Sequence, residues 1–247
     1  MVKYAHDAIV PDKESDLNKK QQIAKMFDSI ASKYDFLNRF LSIGIDVRWR
    51  KKALMQLKQL NPKVILDVAT GTGDLTIMAY KILNPEKIYG IDISIGMLEI
   101  GRKKIERIGL QDKIELIAGD SETITFAENS FDAISVAFGV RNFEHLAKGL
   151  SEMYRVLKPN GKIVILEFSK PRQRWFKRIY NTYMNVITPS IGKLFSNNKN
   201  AYQYLNDSVQ AFPEGQTFLN IMHEVGFTQT YLQTLSLGIC TIYCGSK

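Results

Sequence analysis

Apolar runs rich in β-branched residues alternate with amphipathic segments through most of the chain. The runs predict strands near residues 64–68, 87–91, 114–117, 131–137 and 162–167, and the segments between them predict helices. Two late runs predict strands near 228–235 and 239–244, after a helix that ends at Gly226. This alternation favours an α/β fold with a doubly wound, mostly parallel sheet of seven strands.

An amphipathic segment precedes the first predicted strand. Residues 17–34 carry apolar side chains at spacings of three and four, namely Ile23, Met26, Phe27, Ile30, Ala31 and Tyr34. The spacing predicts a helix with one buried face. We expect this helix to pack on the core or to cover a bound ligand.

A glycine turn, Gly71-Thr72-Gly73, follows the first predicted strand and leads into a helical segment. Glycines at this point let the backbone approach a ligand closely. Asp92 ends the second predicted strand, and a carboxylate at the tip of a neighbouring parallel strand can accept hydrogen bonds from both hydroxyls of a ribose. The layout predicts a nucleoside site at Gly71, Thr72, Gly73 and Asp92.

Three ligands compete for this turn. A dinucleotide fingerprint requires glycine or alanine where Thr76 stands, and a phosphate loop requires a Gly-Lys-Ser or Gly-Lys-Thr sequence that the chain lacks. Asp74 would repel a pyrophosphate, whereas a cationic sulfonium ligand suits Asp67 or Asp74. We therefore favour S-adenosylmethionine over a nicotinamide cofactor, with a purely structural turn as the third interpretation.

Further polar residues follow the third and fourth predicted strands. Asp120 and Ser121 offer a carboxylate and a hydroxyl suited to the amino group and ring nitrogens of adenine, and a simple capped turn is the less favoured alternative. Residues 137–142 would border both the cofactor and the acceptor. Arg141 in this stretch either faces the acceptor or forms a surface ion pair.

Three sequence blocks resemble one known family. They are Tyr34 to Asn38 with Leu41 to Gly44 and Trp49, then Phe138 to Asn142, and finally Arg155 to Gly161 running on to Glu167, Phe168 and Ser169. In this order they resemble the ubiquinone and menaquinone biosynthesis C-methyltransferases over nearly the whole chain. Thr70 and Asn160 stand where this family often has glycine.

The resemblance implies a class I S-adenosylmethionine-dependent methyltransferase fold. It also implies methyl transfer to a ring carbon of a polyprenyl-quinol, with demethylmenaquinol as the first candidate acceptor and the benzoquinol of ubiquinone biosynthesis as the alternative. The cofactor contacts that it implies are Thr72, Asp92, Asp120 and Ser121. We expect one domain: a helical extension (1–60), a cofactor-binding core (61–169), a helical insertion (170–212), and a final helix with strands (213–247).

Methylation of a quinol ring carbon has a chemical requirement of its own. The carbon becomes strongly nucleophilic only when an adjacent hydroxyl loses its proton, so a general base or a cation beside the quinolate is expected. Arg141 is our candidate for stabilising the anion, and His145 for taking the proton directly or through water. His145 is alternatively a solvated helix residue, and Tyr34 and Asp35 are reserve candidates.

A basic segment follows the fifth predicted strand. Residues 170–206 contain seven Lys and Arg residues and no Asp or Glu, in a chain of net charge +8. Apolar and basic residues fall on opposite sides over 174–187, which predicts a basic amphipathic helix. Contact with an anionic membrane surface and packing on the core are both compatible with this pattern.

The same charge admits two rival functions, an RNA methyltransferase and a non-catalytic protein that docks a partner through this helix. A strand-binding groove needs aromatic and basic side chains together, and here they lie on opposite faces, so we expect no nucleic-acid partner. The sequence indicates no oligomeric state.

Composition sets the remaining bounds. Hydrophobic residues make up 45% of the 247 residues and charged residues 23%, as in ordinary globular proteins. No apolar run approaches the length of about 20 residues that a spanning helix needs, and residues 1–16 lack the apolar core of a signal peptide, so we expect a cytoplasmic protein. Cys240 and Cys244 would lie about 13 Å apart in a strand and cannot pair there. Three scattered histidines predict no metal site.

Overall fold

The computed structural model describes residues 4–42, 44–171 and 199–247. The predicted basic helix over 174–187 lies outside the described residues, as does most of the predicted insertion. None of the helices within the described ranges has both the length and the apolar character needed to cross a membrane.

One seven-stranded sheet organises the described residues. Its strands are β1 (Val64–Val68), β2 (Lys87–Asp92), β3 (Ile114–Ala118), β4 (Phe131–Ala137), β5 (Leu157–Phe168), β6 (Thr228–Leu235) and β7 (Cys240–Ser246). They lie in the order β3-β2-β1-β4-β5-β7-β6. The first five strands pair in parallel, and β7 runs antiparallel to both β5 and β6. The predicted α/β sheet, seven-stranded and mostly parallel, is confirmed.

Strand β5 differs most from the sequence prediction, because it begins at Leu157 and not near residue 162. Its first residues pair irregularly, with a register shift between the Phe131 and Ala133 pairings. Asn160 adopts a left-handed conformation with φ of 63°. Asn160 is therefore at a position that glycine occupies easily, and the irregular start of the strand has no alternating pattern by which it could be predicted.

Helices cover both faces of the sheet. They are α1 (Lys19–Leu41), α2 (Ile45–Met55), α3 (Asp74–Leu83), α4 (Ile95–Arg107), α5 (Leu146–Val156), α6 (Lys199–Ala211) and α7 (Gln216–Val225). The predicted N-terminal helix extends seven residues beyond its predicted end at residue 34. Helix α7 ends as predicted, with Gly226 at φ of 118°.

Alternate strand residues point to two apolar cores. Leu66 and Ile134 pack on one face of the sheet with side chains of α5 and α7, whereas Ile65 packs on the other face with side chains of α2, α3 and α4. A third, smaller cluster joins Ile23 and Met26 of α1 to Tyr204 of α6. This third cluster places α1 across the edge of the sheet at which the parallel strands end.

Strand β7 contains both cysteines. Cys240 and Cys244 are buried free thiols in this one strand. They pack in the core on the α2, α3 and α4 side of the sheet, where their role is that of small apolar side chains.

Candidate active site

A cleft of about 660 Å³, including its mouth open to solvent, lies at the carboxyl ends of β1 to β4. This is the edge at which ligands of doubly wound sheets bind. The loops after four strands and one face of α1 enclose it. The lining residues are Lys20, Ile23, Phe27, Tyr34, Ala69, Gly71, Asp92, Ile93, Met97, Gly119, Asp120, Ser121, Glu122, Ala137, Phe138, Gly139, Asn142, Phe143 and Glu144.

Asp92 lies at the base of the cleft, at the end of β2. One carboxylate oxygen accepts a hydrogen bond from the amide of Gly71 at 2.7 Å, and the other accepts one from the amide of Ser94 at 2.9 Å. Burial raises the pKa of Asp92 to about 6, although these two amides oppose the shift. The carboxylate is thus held in one orientation, with lone pairs left for a ligand.

Asp67 does not face the cleft, and the expectation that it meets a cationic ligand is wrong. Its carboxylate is enclosed and accepts hydrogen bonds from the hydroxyls of Thr70, Thr76 and Ser135, all at 2.6 to 2.7 Å. Asp67 therefore ties β1, the turn after it and β4 together. One of these hydroxyls belongs to Thr70, at a position where the family that the sequence blocks resemble often has glycine.

Asp74 also has its partners elsewhere, and its contact with a cationic ligand stays a prediction. Its side chain is absent from the cleft lining and pairs with Lys104 of α4 at 2.7 Å and with Arg39 of α1 at 3.4 Å. These contacts are on the outer side of α3. Asp74 therefore joins α3 to two other helices.

The three residues of the glycine turn have different surroundings. Gly71 lines the cleft, whereas the hydroxyl of Thr72 points away and donates to the Asp35 carboxylate of α1 at 2.6 Å. Gly73 caps α3 with φ of 76° and is buried. Of the three predicted contacts, the structure brings Gly71 alone into the cleft wall. Roles for Thr72 and Gly73 in cofactor binding stay predictions.

Asp120 and Ser121 both line the cleft, in the loop after β3. One oxygen of the Asp120 carboxylate accepts from the amide of Glu122 at 2.9 Å, and the other accepts from Nζ of Lys20 at 2.7 Å. The turn is capped as the simpler interpretation requires. It also presents a carboxylate and a hydroxyl to the cleft, as the ligand interpretation requires.

Two non-glycine residues beside the cleft have left-handed backbone conformations. Ala69 directly follows β1 with φ of 55°, and Phe138 directly follows β4 with φ of 61°. A side chain at Gly139 would meet Cβ of Ala69 at 2.5 Å, so the two loops touch where the neighbouring strands end. Backbone strain of this kind concentrates at functional sites.

Arg141 forms a buried ion pair and not a surface one. A guanidinium nitrogen lies 2.7 Å from the Glu167 carboxylate of β5 and also donates to the carbonyl of Phe138. Burial alone would lower the pKa of Arg141, but Glu167 raises it above its ordinary value. The guanidinium stacks over Phe168, with its carbon 5.4 Å from the ring centre. Arg141 lies behind the cleft lining and not within it.

His145 precedes α5 at its N-terminal cap and is 42% exposed. Its ring nitrogen Nδ1 lies 3.0 Å from a Glu122 oxygen, and its amide donates to the same carboxylate. His145 is also absent from the cleft lining. The catalytic roles of His145 and Arg141 both stay predictions.

Helix α1 covers the cleft, which is one of the two alternatives left open by its sequence. Tyr34, a reserve candidate, lines the cleft, whereas Asp35 contacts Lys104 at 2.5 Å outside it. The sequence argument missed Lys20, Ile93, Met97 and Phe143 as lining residues. Only the spacing of apolar residues on α1 predicted a covering role. Lys20 lies on the polar side of that pattern, and nothing in the local sequence indicated that it lines the cleft.

Residues 15–247 match the ubiE/COQ5 methyltransferase family. The demethylmenaquinone methyltransferase of Bacteroides fragilis strain ATCC 25285 is 47% identical over 244 residues, which are 99% of each chain. The chain belongs to the ubiE/COQ5 methyltransferase family. A ubiquinone/menaquinone biosynthesis C-methyltransferase of Geotalea daltonii is also 47% identical, over 93% of this chain and 97% of that protein.

Solved structures of other methyltransferases share the fold of this ubiE/COQ5 family member. An S-adenosylmethionine-dependent methyltransferase from Aquifex aeolicus aligns with a TM-score of 0.53 at 19% identity, covering 74% of this chain and 81% of that one. The family match and this fold together identify the chain as a methyltransferase with the S-adenosylmethionine-dependent fold. The family resemblance of the sequence blocks is confirmed.

Proposed function

We propose that this methyltransferase transfers a methyl group from S-adenosylmethionine to a ring carbon of a polyprenyl-quinol, with demethylmenaquinol as the acceptor. The observation that carries the proposal is the 47% identity to the demethylmenaquinone methyltransferase of Bacteroides fragilis, which spans 99% of both chains. A cleft at the carboxyl ends of β1 to β4 supports it, because that is where such a cofactor binds in doubly wound sheets.

The chemistry of the cleft wall fits S-adenosylmethionine. Asp92 accepts hydrogen bonds from the ribose hydroxyls, and Asp120 with Ser121 faces the adenine edge. Ile93, which follows Asp92, and Met97 of α4 supply an apolar wall for the adenine ring, since both line the cleft. The backbone at Gly71 lets the ligand approach without a side chain in the way, since no atom lies within 4 Å of the missing Cβ.

When bound, the cofactor supplies a methyl group already activated by the sulfonium charge. The protein then has to align the acceptor carbon and exclude water. Helix α1 contributes to exclusion of water, because Phe27 and Tyr34 of this helix line the cleft. Phe138, which stacks on Phe168 with ring centres 4.4 Å apart, supplies an aromatic surface beside the acceptor.

Arg141 and His145 remain our candidates for charge and proton handling. The Arg141 side chain is only 6% exposed, and its Nε has no hydrogen-bond partner among the described residues. A cation held this firmly by Glu167 is suited to stabilise a quinolate in the cleft through its charge, from behind the lining residues. His145 would act through Glu122, since Glu122 lines the cleft and contacts the imidazole.

The benzoquinol intermediate of ubiquinone biosynthesis is the second candidate acceptor. The Geotalea daltonii relative, equally identical at 47%, carries a name that covers both quinones. For either acceptor the substrate is a membrane lipid. We therefore infer peripheral contact with an anionic membrane surface, supported by the seven basic and no acidic residues of 170–206.

A methyl-transfer assay tests the proposal. The protein is incubated with methyl-labelled S-adenosylmethionine and, separately, with vesicles containing demethylmenaquinol, vesicles containing the benzoquinol, and total RNA. We expect label in menaquinol. Label in the benzoquinol alone would select the second candidate, and label in RNA alone would overturn the quinol proposal.

A further inference from the structure

Lys20 occupies a position that the proposed cofactor chemistry does not yet use. It lies in the first turn of α1, and its Nζ bridges two carboxylates of the loop after β3, at 2.7 Å from Asp120 and 2.8 Å from Glu122. Lys20 and Asp120 are each about one-quarter exposed, whereas Glu122 is 1% exposed. All three residues line the cleft.

The bridge holds Asp120 at both oxygens. One oxygen accepts from the amide of Glu122 within its own loop, and the other accepts from Lys20 on a different element. Each carboxylate oxygen has two lone pairs, so two remain for a ligand. Without Lys20, the Asp120 carboxylate would be free to rotate and would lie near a second anion with no cation between them.

The electrostatics agree with this geometry. Burial alone would lower the pKa of Lys20, but its hydrogen bonds to Asp120 and Glu122 raise the pKa above its ordinary value. Lys20 is therefore charged throughout the neutral range. It compensates the buried charge of Glu122, whose carboxylate also accepts a hydrogen bond from the amide of His145 and lies 3.0 Å from the imidazole of that residue.

Helix α1 is also bound to the loops after β1 and β2. The hydroxyl of Thr72 donates to Asp35 at 2.6 Å, and the hydroxyl of Ser94 donates to Asp28 at 2.6 Å. Thr72 and Ser94 are both absent from the cleft lining. Helix α1 thus contacts the three loops through Lys20, Asp28 and Asp35. Of these residues, Lys20 is the one that bonds directly to a residue assigned to the adenine edge.

We propose that Lys20 is a cofactor-positioning residue, which fixes the Asp120 carboxylate toward the adenine amino group. Because Lys20 lies on α1, cofactor affinity then depends on the position of α1 over the cleft. This inference rests on the proposed function, because it assumes that S-adenosylmethionine binds in the cleft. Lys20 acts through Asp120 and takes no part in the methyl transfer itself.

The test compares Lys20→Met with Lys25→Met, an exposed lysine on the same helix that does not line the cleft. We expect the dissociation constant for S-adenosylmethionine, measured by calorimetry, to rise about fivefold in Lys20→Met, the upper range for a partly exposed ion pair. The kcat at saturating cofactor should not change. Lys20→Arg should restore affinity, and Lys25→Met should leave affinity at the wild-type value.

A double-mutant cycle with Asp120→Asn separates positioning from general packing. Once Asp120 is neutral, Lys20→Met should weaken binding no further. Unchanged affinity in Lys20→Met, or the same loss with Asp120→Asn in place, would overturn the inference while leaving the proposed function intact. Failure of the wild-type protein to bind the cofactor at all would contradict the proposed function as well.

Discussion

Asp67 and Asp92 are carboxylates near the ends of neighbouring strands, and we assign them opposite uses. Burial raises the pKa of both. Three hydroxyls surround the carboxylate of Asp67 and close it off from the cleft. Two backbone amides hold Asp92 from one side only, and its other side faces the cleft.

The comparison shows that burial and a raised pKa do not by themselves identify a binding carboxylate. The partners decide the role. Side-chain hydroxyls from three separate segments use the acceptor capacity of Asp67 for the fold, whereas amides from the adjacent loops orient Asp92 and leave lone pairs for a ligand. Asp67 is therefore assigned to stability and Asp92 to binding, and the two assignments can be tested separately.

The largest expected effect is on stability. Asp67→Ala removes the shared acceptor of three enclosed hydroxyls, which should lower the free energy of unfolding by about 3 kcal/mol, because unsatisfied buried polar groups cost about 1–3 kcal/mol each and these hydroxyls partly re-pair. Denaturant unfolding measures the loss. Cofactor affinity of the folded fraction should stay near the wild-type value, and a large loss of affinity would break the comparison.

Asp92→Ala should produce the converse result. We expect cofactor binding to weaken by about 1.5–3 kcal/mol, the range for hydrogen bonds to a charged group, with the unfolding transition little changed. Calorimetry with S-adenosylmethionine checks the affinity, and circular dichroism checks the fold. Equal affinity for the variant and the wild type would place the nucleoside elsewhere.

Cofactor affinity should also depend on pH through Asp92. In our proposal the carboxylate form accepts hydrogen bonds from the ribose hydroxyls, and the pKa of about 6 means that a proton occupies this site increasingly as the pH falls below that value. The dissociation constant should be nearly constant from pH 7 to about pH 6.5 and should then rise by up to about tenfold per pH unit.

The matched control is Asp92→Asn, which cannot titrate at this position. Its affinity should be weaker than that of the wild type at pH 7 and should vary less between pH 7 and pH 5. A wild-type protein whose affinity is equal at pH 7 and pH 5 would contradict the assignment of Asp92.

The smallest effect concerns one hydroxyl of the Asp67 cluster. Thr76→Val removes one of three donors and preserves the shape of the side chain, so the free energy of unfolding should fall by about 1 kcal/mol. Thermal unfolding monitors the change, with cofactor affinity as the internal control. A decrease in the free energy of unfolding as large as that of Asp67→Ala would mean that the three hydrogen bonds do not contribute separately to stability.

Much of the fold follows from residue patterns. Strands β4 and β6 have the predicted bounds. Asp92, Asp120 and Ser121 end or follow predicted parallel strands, and this places them at the carboxyl edge of the sheet, where they line the cleft. These predictions succeed because parallel buried strands have a strong apolar signal, and because ligands meet such sheets at one edge.

The remainder depends on contacts between distant segments. Asp67 and Asp92 look alike in the sequence, since each is a carboxylate in an apolar strand. One of the three hydroxyls that close off Asp67 comes from Ser135, 68 residues away. The bridge from Lys20 spans 100 residues to Asp120. Local spacing carries no information about such pairs, so the contact of Lys20 with Asp120 and the closed state of Asp67 require the structure.

A crystal structure of the protein with S-adenosylmethionine tests the central assignment most directly. We predict both ribose hydroxyls within hydrogen-bond distance, about 2.7 Å, of the Asp92 carboxylate, with Asp67 still bound to its three hydroxyls. A ribose bound away from Asp92, or in contact with Asp67, would contradict the account.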